Sequence, residues 1–217
     1  HALIGPNGAG KTTFFNVVTK FLQPTAGAIL HDGADITAMR PADVARRGMV
    51  RSFQISAVFG RMSAHDNVRI ALLRPTGVAH EFWKSAAWMG RLDERARALL
   101  ASVGLADVAD VPAAELPYGK KRALEIATTL ALEPEVLLLD EPMAGLGHED
   151  IDRVAALIRR VSAGRTVLMV EHNLPVVQAL SDVVTVLVRG LVVAHGPYET
   201  VARDPAVIEA YMGSGHG

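Results

Sequence analysis

Apolar residues fall along this chain in two rhythms. Short unbroken runs, at His1-Ala-Leu-Ile4, Val136-Leu-Leu-Leu139 and Thr166-Val-Leu-Met-Val170, have the length and composition of strands buried on both faces. Val183 to Arg189 and Leu191 to His195 predict a hairpin around Arg189-Gly190. Other stretches repeat at three and four residues. Ala123, Ala127, Leu130 and Ala131 share one face of a predicted helix, and Ile151, Val154, Ile158 and Val161 do so over Glu149 to Ser162. Ser63, with Asp66 three residues on, reads as a cap for an apolar helix over Asn67 to Leu73. Trp83, Trp88 and Met89 fall in a helical insert ahead of Leu92 to Val103. Buried strands alternating with helices predict an α/β fold around a parallel sheet. From about Ile55 to Pro134 the pattern is helical, with Gln23 to Gly27 and His31 to Gly33 as turns in the segment before it.

The first strand runs into the most informative stretch. Gly5-Pro-Asn-Gly-Ala-Gly-Lys-Thr12 fits the P-loop pattern GxxxxGK[ST], and Gly5, Pro6, Asn7, Gly8, Ala9, Gly10, Lys11, Thr12 and Thr13 form the predicted phosphate site. Glycines at 5, 8 and 10 let the backbone aim N–H groups at phosphate oxygens, and the following helix N-terminus adds partial positive charge. Lys11 is placed to reach the β and γ phosphates, and the Thr12 hydroxyl to bind Mg²⁺.

Val136 to Asp140, followed by Glu141-Pro142, is a buried strand whose carboxyl end delivers two acids to a ligand crevice, a Walker B pattern. Asp140 is the expected Mg²⁺ holder and Glu141 the group polarising the attacking water. Just upstream, Leu116-Pro-Tyr-Gly119 opens a helix with Lys120, Lys121 and Arg122 in its first turn. Cations there oppose the helix dipole, so either an anion docks at this end or the three charges are solvated.

Taken in order, these segments resemble the ATP-binding cassette (ABC) ATPases over essentially the whole chain. The resemblance implies a P-loop NTPase with a RecA-like parallel-sheet core at residues 1–54 and 135–217, and an inserted α-helical signature subdomain at 55–134. It implies a head-to-tail dimer, homomeric or with a second ABC ATPase subunit, in which the signature turn of one subunit caps ATP on the P-loop of the other. Leu116, Pro117, Tyr118 and Gly119 stand where the family has LSGGQ, with proline in place of the serine, so a hydroxyl contact to the γ phosphate is lost. Arg51-Ser-Phe-Gln54 looks like the Q-loop, whose Gln54 senses Mg²⁺ or the attacking water. His172 matches the switch histidine, and Ala144 to Gly147 occupies the D-loop, with Gly147 in place of the usual Asn or Asp.

Within the family the chain is most similar to the ATPases of branched-chain amino-acid importers, through Tyr118-Gly119, Glu141 to Leu146, Glu171 to Pro175, the insert after Gln54 and the ending Asp204 to Gly213. That implies membrane-embedded permease subunits, an extracytoplasmic binding protein acting indirectly, and a place on the cytoplasmic face of the inner membrane. Relatives moving amides, urea or other amino acids would share these features. In the family, strands ahead of the P-loop carry an aromatic residue that stacks on adenine, so a preceding segment is expected.

Composition narrows the alternatives. A formal charge of −1 gives no argument for nucleic acid, and the chain has no cysteine, which removes disulfides and thiol catalysis. Half the residues are apolar, yet no run is long enough to span a bilayer. A soluble, non-transport ABC ATPase, a kinase or GTPase, and a subunit that binds nucleotide without turnover are the competing readings. The first usually carries two cassettes or a coiled-coil insert, the second leaves the signature helix unexplained, and the third requires Pro117 and Gly147 to disable the site.

Overall fold

The computed structural model describes residues 1–52, 58–74 and 86–212. Gln54 and Trp83 lie outside the described residues. Contacts divide the chain into two units, one of His1–Arg51, Val136–Ala144 and Ser162–Gly217, the other of Ser52–Glu135 and Gly145–Val161.

The first unit is built on a six-stranded sheet. Its strands are β1 (Ala2–Ile4), β4 (Met49–Ser52), β5 (Val136–Asp140), β6 (Thr166–Val170), β7 (Val184–Val188) and β8 (Leu191–Gly196), in the spatial order β4-β5-β6-β1-β7-β8. β1 lies parallel to β6 and β7, β5 is parallel to β6, and β8 returns antiparallel to β7. The hairpin turn falls at Arg189-Gly190, both at left-handed φ of 51° and 81°, as the sequence predicts. A separate two-stranded ribbon, β2 (Leu30–His31) and β3 (Ala34–Asp35), turns at Asp32-Gly33. Unbroken apolar runs become strands here because both sheet faces are covered. Leu3, Leu138, Val170 and Leu187 from four strands pack with Phe15 of α1 (Lys11–Val18), Val44 of α2 (Pro41–Arg46) and Ile36.

The second unit is helical. It comprises α3 (Ala64–Leu73), α4 (Ala86–Ser102), α5 (Tyr118–Leu130) and α6 (His148–Val161), with α3 packed on α4 and α5, and α6 on α5. The Ser63 cap forms as expected: its Oγ accepts the Asp66 N–H at 3.0 Å, and the helix starts at Ala64, three residues before the predicted Asn67. Ala123, Ala127, Leu130 and Ala131 are all buried. On α6 the buried set is Val154, Leu157, Ile158 and Val161, whereas Ile151 stays half-exposed, so the apolar stripe is rotated toward Leu157. The chain closes with α7 (Leu174–Leu180), α8 (Tyr198–Val201) and α9 (Pro205–Met212), back in the first unit. Among the described residues no helix is long and apolar enough to cross a membrane.

Candidate functional site

From the sheet interior, β1 runs directly into the glycine-rich loop. At Gly5 a Cβ would stand 2.1 Å from the Leu187 carbonyl oxygen and 3.1 Å from the Ala9 Cβ, so the loop can pass β7 this closely only with glycine. The Gly190 N–H donates to the Ala9 carbonyl at 2.9 Å and fastens the loop to the hairpin turn. The first bond of α1 runs from the Phe14 N–H to the Gly10 carbonyl at 2.8 Å, so the N–H groups of Lys11, Thr12 and Thr13 precede the helical ladder. Thr12 and Thr13 are exposed there, no acidic residue sits in the turn, and a Cβ at Gly8 would meet nothing within 4 Å. The loop is therefore an open nest of donors at a positive helix end, suited to phosphate.

Lys11 Nζ donates to the carbonyls of Gly5 at 2.7 Å and Pro6 at 3.0 Å. Burial pushes its pKa below the ordinary lysine value, and the carboxylates of Glu141 and Asp140 act in the opposite direction. Both carboxylates leave the sheet beside it. Asp140 closes β5 and is buried, while Glu141 takes a left-handed φ of 45° and donates its N–H to the Val170 carbonyl on β6 at 2.9 Å. Thr12 hydroxyl and Asp140 carboxylate are hard oxygen donors, the set Mg²⁺ takes.

Two residues that the sequence places in motifs without a role of their own, Arg51 and Glu171, are central to this arrangement. Arg51 of β4 forms an ion pair with Asp140, donates to Asn16 Oδ1 at 2.7 Å, and lies 5.4 Å above the Phe15 ring. A charged residue inside a buried strand requires a partner, and that signal could have found it. Glu171 is 1% exposed and accepts three backbone N–H groups, from Met143 and His172 at 2.9 Å and from Asn173 at 3.1 Å. It couples the turn after Glu141 to the loop carrying His172, whose ring is exposed. Lys11, Asp140, Glu141 and His172 thus share the first unit.

The Leu116–Gly119 turn lies in the second unit. Leu116 is buried, Pro117 precedes α5 without a side-chain cap, and Tyr118, half-exposed, lies against Gly145. A Cβ at Gly119 would sit 2.5 Å from Asp150 Cγ, so the α6 carboxylate presses on the start of α5. The three cations there are engaged by the unit's own groups. Lys120 pairs with Asp107 at 2.7 Å, Lys121 donates to the Ala114 carbonyl at 2.8 Å, and Arg122 is buried against Glu125 at 2.7 Å. These three charges are engaged within the unit rather than fully solvated.

Residues 1–144 match the family model of ABC transporters, and residues 192–217 match one described as branched-chain amino acid ATP-binding cassette transporter. The chain is 39% identical, over 98% of its length and 86% of the relative's, to the high-affinity branched-chain amino acid transport ATP-binding protein BraF of Pseudomonas aeruginosa. It is 37% identical to the LivG protein of Escherichia coli strain K12, which carries the same description, over 98% of this chain and 86% of that one. Its fold is similar to the crystal structure of the ADP conformation of an ATP-binding cassette of an ABC transporter, with a TM-score of 0.84 at 31% identity, covering 98% of this chain and 87% of that one. The P-loop geometry, the acids ending β5 and these matches have one reading: this chain belongs to the ABC transporter family of ATP-binding cassettes.

Proposed function

We propose that this chain is the ATP-hydrolysing motor subunit of an importer for branched-chain amino acids. The observation that carries the reading is the convergence, within one unit, of Lys11 on its loop with Asp140 and Glu141 at the end of β5. In this reading Gly5 to Thr13 cradle the triphosphate, and Lys11 exchanges its bonds to the Gly5 and Pro6 carbonyls for phosphate oxygens. Thr12 and Asp140, with Gln54, would hold Mg²⁺, which supplies charge neutralisation to the phosphates when bound. Asp140, which pairs with Arg51, would serve the ion as well. Glu141 accepts a proton from the attacking water, and His172 faces the γ phosphate from the loop that Glu171 fixes. The Leu116–Gly119 turn of a second cassette closes over the nucleotide; with Pro117 carrying no hydroxyl, it acts through Gly119 and the start of α5.

Closure of the pair switches a docked permease between access states, and hydrolysis with phosphate release resets it. Membrane association runs through that permease, at the cytoplasmic face. The match over residues 192–217 favours branched-chain amino acids over other cargo. Purifying the full-length protein from gently solubilised membranes and identifying its companions by mass spectrometry tests the reading. Multi-span permeases and a second cassette ATPase support transport; ribosomes or nucleic acid in their place refute it.

A further inference from the structure

Arg51 is a long cation in a strand otherwise made for burial. Along β4 it stands two residues from Met49, on the same sheet face, and Met49 packs in the core cluster with Phe15 of α1. The Arg51 side chain accordingly lies beside α1, its guanidinium carbon 5.4 Å from the Phe15 ring centroid. From there its two terminal nitrogens diverge. Nη1 donates to Asn16 Oδ1 on α1 at 2.7 Å, and Nη2 donates to Asp140 Oδ2 at the end of β5. Both members of the ion pair are withdrawn from water, with side-chain exposures of 10% for Arg51 and 5% for Asp140.

The two elements joined in this way are the ones that carry Thr12 and Asp140, the oxygen donors suited to Mg²⁺. Asn16 lies four residues after Thr12, so the two share one face of α1. Asp140 gives one carboxylate oxygen to Arg51 and retains the other for a further ligand. Mg²⁺ demands near-octahedral geometry with ligands at about 2.0–2.1 Å, so it tolerates little error in the spacing of oxygens drawn from separate elements. A guanidinium is planar and holds its nitrogens in a fixed fork, unlike an ammonium on a flexible stem.

We propose that Arg51 is a positioning residue for the metal half of the nucleotide site, a rigid spacer between α1 and β5 that sets Thr12 and Asp140 at the separation Mg²⁺ requires. The inference rests on the nucleotide-binding reading above and adds to it the group that keeps the two donors in register.

The test uses the full chain in three forms: the parent, Arg51→Lys, which keeps the charge but not the fork, and Asn16→Ala, which keeps the ion pair and cuts its tie to α1. ATP binding is titrated calorimetrically with Mg²⁺ and again in EDTA, and the quantity read is the ratio of the two affinities. Thermal unfolding without nucleotide establishes that each variant is folded. Arg51→Lys is expected to reduce the ratio about tenfold and Asn16→Ala about threefold, the range of single hydrogen-bond contributions, with affinity in EDTA unchanged. Should Arg51→Lys fail to fold, Asn16→Ala decides alone. A parental ratio in Asn16→Ala overturns the spacer, and so does an equal loss with and without Mg²⁺, the mark of a general disturbance of the fold. A parent that binds no ATP, or whose affinity is indifferent to Mg²⁺, overturns the nucleotide and metal reading itself, and the spacer with it.

Discussion

Glu171 offers the sharpest quantitative test of how this site is held. Its carboxylate is the acceptor for three backbone N–H groups in two segments far apart in the chain. Substitution by alanine removes all three acceptors at once. Met143 is itself buried, so its N–H loses any partner, whereas the half-buried Asn173 and exposed His172 can recover water. An orphaned buried donor costs about 1–3 kcal/mol and a charge-assisted bond contributes about 1.5–3 kcal/mol, so Glu171→Ala should destabilise the fold by about 3–5 kcal/mol. For a chain of this size that is a fall in Tm of roughly 6–20 °C.

Glu171→Gln separates the terms. Its single carbonyl can serve His172 and Asn173, but its amide then points a donor at the Met143 N–H, at a cost of about 2 kcal/mol. Because this mismatch lies two residues after Glu141, ATPase activity measured well below Tm should fall by more than nucleotide affinity does. Calorimetric unfolding of the parent and both variants, with ATPase assays on the same preparations, gives the comparison. An alanine variant within about 0.5 kcal/mol of the parent, the range of ordinary surface changes, would show that the three bonds do not hold the site.

Other outcomes follow from the same geometry. Glu141→Gln should bind MgATP like the parent and hydrolyse it at least about 100-fold more slowly; hydrolysis at the parental rate, read by phosphate release, refutes its role as base. Burial lowers the Lys11 pKa below the ordinary lysine value of 10.5, so between that lowered value and 10.5 the unfolded chain binds more protons than the folded one. In this alkaline window Lys11 makes stability rise with pH while nucleotide affinity falls. Asp140→Asn removes one of the charges raising that pKa and should move the affinity loss to lower pH, which a pH series of binding titrations checks. Gly5→Ala forces a Cβ to 2.1 Å from the Leu187 carbonyl at a φ of +152°; it should cost about 2 kcal/mol or more and abolish nucleotide binding, and a variant that binds normally refutes the wedge.

What could be read along the chain was local. The P-loop, the strand ending in Asp140 and Glu141, the Arg189-Gly190 hairpin and the Ser63 cap each need only a few consecutive residues, and each stands where expected. The partners of Glu171 and Arg51 were beyond such a reading. Nothing near Glu171 announces Met143, and a carboxylate satisfied entirely by backbone leaves no complementary side chain to find. The cationic start of α5 has the same origin. Lys120 and Lys121 are met by Asp107 and the Ala114 carbonyl from preceding turns, and Asp150 reaches Gly119 from another helix. Periodicity likewise gave the α6 stripe without its rotation, which the packing on α5 decides.

The strand order sets a timetable for synthesis. β1, earliest along these residues, is flanked in the sheet by β6 and β7, with Ala2 registered against both Met169 and Val184. A ribosome adding about 5–20 residues per second takes roughly ten to forty seconds to make that span. Through that interval the apolar Ala2–Ile4 segment and the loop after it are without the neighbours that seat them. Nucleotide binding should therefore be acquired late, once β7 pairs with β1, and nascent chains stopped short of Val188 are expected not to bind ATP.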